Sequence, residues 1–139
     1  MFANIRELGR SESASSVLPM AIALLHVVRR SVAGSRGAAH VELTILGSRI
    51  AEFAGYMVQE MGDSRSAVWW TEQAVRIAAL VGDRDMSSYA LVRRSLIALY
   101  CEEPTQVVAF AQQVGRNPEV PSRIRWLAAQ REAQGHALR

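Results

Sequence analysis

The dipeptide Gly-Asp occurs at Gly62-Asp63 and again at Gly82-Asp83, each time closing a stretch whose apolar residues recur every three or four positions. Glycine takes the left-handed conformation that ends a helix, and aspartate accepts from the unpaired amides that open the next one. Two such residues suffice to reverse the chain, so the flanking segments must be helices packed antiparallel on their neighbours. No stretch of the chain reads as a strand.

The same periodicity places the remaining elements. One helix is predicted over about 14–30, followed by a loop at 31–37 that holds Gly34 and Gly37. A longer helix over 39–61 carries Leu43, Leu46, Ile50, Phe53, Ala54 and Met57 on one face, and a third over 64–81 carries Ala67, Trp70, Ala74, Ile77 and Val81. A fourth spans 85–101 with Met86, Ala90, Ile97 and Cys101 in register. Pro104 suits the first turn of a fifth, where its missing amide costs little, and Val107, Val108, Ala111 and Val114 line that helix up to Gly115. After the break at Asn117-Pro118 and Pro121, Ile124, Leu127, Ala128 and Leu138 predict a last helix from Ser122 to the terminus. The reading is therefore all-α with about six helices: residues 1–13 are a polar, frayed leader, and residues 14–139 form one helical domain.

Charge and chemistry exclude several function classes. All sixteen positive charges are arginine, and with a net charge of +3 they are interspersed with acidic residues instead of gathered in a stripe, so no direct nucleic-acid contact is expected. The apolar run 17–28 contains His26, leads into Arg29-Arg30 and is too short to cross a bilayer, which predicts no membrane partner. Cys101 has no partner for an intrachain disulfide, and its apolar neighbours predict a small buried hydrophobe in a reducing, cytoplasmic protein. His26, His40 and His136 fall on separate elements, so no metal is expected. A nucleophile elbow, a phosphate loop and a zinc-protease helix are all missing, which predicts a non-enzyme without cofactors. The carboxylates of Glu102-Glu103 complement the start of the helix at Pro104. Trp69 and Trp70 point about 100° apart on a helix, so one ring belongs inside and the other, Trp69, is an interface candidate.

Displaced by about 40 residues, the chain sets Gly55 over Ser95 and Gly135, and Gly62-Asp63 over Glu102-Glu103. The segment 51–74 resembles a tetratricopeptide repeat (TPR): Gly55 stands at the small position of the first helix, Gly62-Asp63 at the turn, and Ala67 and Ala74 on the second helix. The motif's large positions hold Ala51, Ala54, Val58 and Thr71, and the period exceeds the usual one of about 34 residues, which makes the chain TPR-like with longer helices. Residues 49–138, through the phrases 49–56, 70–74, 88–95 and 133–138, look like the C-terminal TPR-like region of actinobacterial helix-turn-helix transcriptional regulators. The arginine-only, alanine-rich composition suits such a source.

That resemblance implies a right-handed solenoid of stacked antiparallel hairpins and a regulatory or association module without its DNA-binding domain. The first helix of each hairpin would line a concave groove for a peptide or protein, placing Arg49, Glu52, Tyr56, Gln59 and Glu60, then Tyr89 and Arg93, then Glu132 and His136 as contacts. By the same register the third hairpin lacks its second helix. Its open face predicts a homo-oligomer with Trp126 or Leu138 between copies.

Overall fold

The computed structural model describes all of residues 1–139 and contains seven helices: α1 (Phe2–Ser11), α2 (Ala14–Ala33), α3 (Gly37–Glu60), α4 (Ser64–Ala79), α5 (Asp85–Tyr100), α6 (Pro104–Gly115) and α7 (Ser122–Ala137). The protein is all-α, without strands. It divides into two compact units, residues 1–83 and residues 84–139.

Three turns share one hydrogen-bonding pattern. At the ends of α3, α4 and α5, the amide of residue 63, 83 or 103 donates to the carbonyl five residues back, Val58, Ala78 or Ala98, at 3.0, 3.1 and 2.9 Å. The residue before each donor, Gly62, Gly82 or Glu102, has a positive φ of 83°, 75° or 56°. This is the helix-ending arrangement in which one left-handed residue lets the chain turn back and satisfies an orphan carbonyl. Glycine reaches that conformation freely; Glu102 adopts it against a steric cost of about 1–2 kcal/mol. Asp63 then caps α4, its carboxylate accepting from the Ser66 amide at 3.0 Å and the Ser66 hydroxyl at 2.6 Å. Those bonds, the hydroxyl's first, hold the Asp63 carboxyl below its ordinary range. The cap therefore stabilises above the unfolded-state value and is lost as pH falls through the lowered one.

In the first unit α3 lies between α2 and α4 and packs extensively on both. Its buried residues include Ile50, Ala51, Phe53, Ala54, Met57 and Val58, facing Val17, Ala21, Leu25 and Val28 of α2 and Ala67, Ala74 and Ala78 of α4. Gly55 sets the α3–α4 distance: a Cβ there would stand 3.1 Å from Trp70 Cβ and 3.3 Å from the Ala67 carbonyl. The polar leader is corrected to a helix. α1 buries Ile5 and sets Phe2 edge-on to Phe53 with ring centroids 5.7 Å apart; Phe2, Ile5 and Gly9, at spacings of three and four, give this otherwise polar helix one face that packs inward. The loop at 31–37 shrinks to Gly34–Arg36, because α2 and α3 extend into it.

In the second unit α5, α6 and α7 each pack on the other two. Val92, Val114, Val120 and Ala128 form a core cluster with Leu91, Ile124 and Leu127 at its margin. The buried Ser95 hydroxyl donates to the Val107 carbonyl at 2.8 Å, tying α5 to α6. Gly135 is the closest approach: a Cβ there would lie 2.8 Å from methyl carbons of both Val107 and Val108. Cys101 is exposed, contrary to the expectation of burial, because α5 ends at Tyr100 and the turn carries the thiol outside.

Two substitutions test this account by denaturant unfolding. Gly135→Ala forces β-branched side chains apart and is expected to cost about 1–3 kcal/mol. Glu102→Gly removes a left-handed non-glycine residue and is expected to add about 1 kcal/mol.

Candidate functional site

Between Gly47 and Glu60, α3 is buried except along one line. Arg49 and Glu60 are exposed and Glu52 and Tyr56 half-buried, at spacings of three and four that set them on one ridge. The strip presents a guanidinium, two carboxylates and a phenol, a set able to donate to and accept from peptide groups. Gln59, expected on the same surface, is instead buried, and neither its Nε2 nor its Oε1 has a hydrogen-bond partner. One residue's rotation from Glu60 carries it off the ridge. An unsatisfied buried amide costs about 1–3 kcal/mol.

On α5, Tyr89 is half-buried and Arg93 buried. The guanidinium carbon lies 5.9 Å from the Tyr89 ring centroid, and Nη2 donates to the Tyr89 hydroxyl at 3.4 Å. Arg93 is thus corrected from a surface contact to an inward residue whose charge is drawn over a neighbouring ring four positions back. On α7, Glu132 accepts from Gln112 Nε2 of α6 at 3.0 Å and stands 3.6 Å from His136 Nε2. These bonds engage Glu132 within its own unit, and the His136 pair, being exposed, contributes little to stability.

Each unit exposes large apolar side chains. Trp69 on α4 is 53% exposed, its ring edge-on to Trp70 with centroids 5.0 Å apart. Trp126 and Leu138 are 62% and 45% exposed. Aromatic residues in this setting are the ones that anchor protein interfaces. Arg49, Glu52, Tyr56, Glu60 and Trp69 belong to the first unit, and Tyr89, Arg93, Trp126, Glu132, His136 and Leu138 to the second. No group of three or more His, Cys, Asp or Glu side chains is arranged to hold a metal ion.

No protein-family profile, curated protein or solved structure matches the chain.

Gln59→Met, which fills the same space without the unpaired amide, is expected to raise stability by about 1 kcal/mol in equilibrium unfolding. A loss of stability would mean that the carboxamide is satisfied in solution.

Proposed function

We propose that the chain is a non-catalytic, TPR-like module that binds a peptide or protein, its hairpins stacked as a right-handed solenoid, and that it serves as the regulatory and association part of a transcription regulator. The observation that carries the reading is the α3 strip, where Arg49, Glu52, Tyr56 and Glu60 face outward from the otherwise buried stretch between Gly47 and Glu60. The recurring turns at residues 62, 82 and 102 and the close crossings at Gly55 and Gly135 support the repeat architecture. Tyr89 and Arg93 stand at the equivalent helix of the next hairpin; with Arg93 buried, Tyr89 is the contact there and Arg93 fixes its ring.

A second reading rests on Trp126 and Leu138, whose exposure on α7 suits a homodimer with no groove ligand.

One set of variants separates the two. A partner captured by the wild-type chain is measured against Arg49→Ala, Tyr56→Ala and Trp126→Ala, with light scattering on each. Groove binding predicts a loss of about tenfold or more in affinity for the two α3 variants at unchanged mass. Unchanged affinity in both, together with a wild-type dimer that Trp126→Ala converts to monomer, assigns the function to self-association.

A further inference from the structure

A different surface, independent of the α3 strip, carries a second functional feature. Residues 13–41 contain no Asp or Glu, yet they hold Arg29, Arg30 and Arg36 together with His26 and His40; Glu12 and Glu42 bound the stretch. Most of this stretch is α2, which buries only Val17, Ala21, Leu25 and Val28 of its twenty residues. The buried four share the side that packs on α1 and α3. Away from it, Pro19, Met20, Ala23 and Val27 are exposed, Met20 by 44% and Val27 by 58%. At about 100° per residue, Ala23, Val27 and Arg30 fall within roughly 60° of one another on that outer side. An apolar strip thus ends in arginine, with no acidic side chain anywhere on the helix.

We propose that the outer face of α2 docks on an anionic lipid surface, the helix lying in the headgroup plane while its inner side stays in the protein core. Charge complementarity selects the occupant: a strip that is apolar from Pro19 to Val27 and cationic at its C-terminal end matches acyl chains beneath phosphate and carboxylate headgroups. Area argues against a second copy. A twenty-residue helix is about 30 Å long and about 10 Å wide, so its face offers roughly 300 Å², against about 800 Å² per partner in a stable protein interface. Pairing α2 with itself would also bury an arginine-bearing surface against another. A bilayer needs no matching folded surface. Such docking replaces the expectation of no membrane partner: α2, longer than the apolar run 17–28, is by length and composition able to cross a bilayer, but its four buried residues hold it in the first unit, which assigns it to the membrane surface.

The test is co-sedimentation of the full chain with vesicles of phosphatidylcholine alone or mixed with phosphatidylserine. The expected result is pelleting with the mixed vesicles only, reversed by high salt. Arg29→Glu/Arg30→Glu and Met20→Glu/Val27→Glu should each reduce the bound fraction at least about fivefold, since one cation near such a surface contributes about that factor. All four positions are exposed, so helical circular dichroism should not change. Equal pelleting with neutral vesicles, pelleting that survives both double substitutions, or none at any composition overturns the proposal. If pelleting is absent and Met20→Glu/Val27→Glu lowers the solution mass, the face belongs to a second copy of the chain.

Discussion

The bond from the amide of residue 63, 83 or 103 to the carbonyl five residues earlier is the contact on which the rest of the fold depends. A helix leaves its last carbonyls unpaired, and a helix that must reverse at once cannot leave them all to water. One left-handed residue solves both problems, satisfying a carbonyl and turning the chain within two positions. Gly62 returns α4 along α3 in the first unit and Glu102 returns α6 along α5 in the second, while the Gly82 turn closes α4 at the boundary between the two units. Only then do the apolar faces meet.

What those faces hold follows from how closely they are brought together. Much of the interior is small: Ala51, Ala54, Ala67, Ala74 and Ala78 in the first unit, Ala90, Ser95, Ala98, Ala111 and Ala128 in the second. Gly55 and Gly135 mark the tightest crossings. Small residues let helices approach and leave little room inside for indoles, and Trp69 and Trp126 stand outside. The same packing encloses the C-terminal part of α3, from Gly47 on, until a single ridge of polar groups is left, so the candidate binding strip is a by-product of a central position between two helices.

Most of the helical map was legible in the residues because it rests on local signals. The Gly-Asp pairs, Pro104 and the 117–121 break placed seven helix ends to within a few residues. What was not legible depends on partners distant in sequence. α1 is polar on average and carries only Phe2, Ile5 and Gly9 on its inner face, too few to stand out in so short a segment, and the Phe2 ring meets Phe53, some fifty positions away. Gln59 and Arg93 sit at positions whose spacing suits an exposed face, but a helix packed on several sides buries more than one stripe, and periodicity reports only the strongest. Cys101 shows the converse: its apolar neighbours belong to α5, and the thiol lies just past that helix's end. The signal for the outer side of α2, a long stretch without acidic residues, was present but lies in composition and not in spacing.

The brevity of the turns also governs how the chain reaches this state. In the first unit α2, α3 and α4 pack on their immediate neighbours, so each contact closes a short loop, and closing short loops is fast. Each unit also has a contact that skips a helix, α1 with α3 in the first and, more extensively, α5 with α7 in the second, which spans the longer 116–121 connection. That closure carries the larger entropic cost and requires α6 to be in place, with Gly135 seated over Val107 and Val108. The α5–α7 pairing is therefore the contact of this unit with the largest chain-closure cost, and it depends on the α6–α7 hairpin that forms across the 116–121 connection.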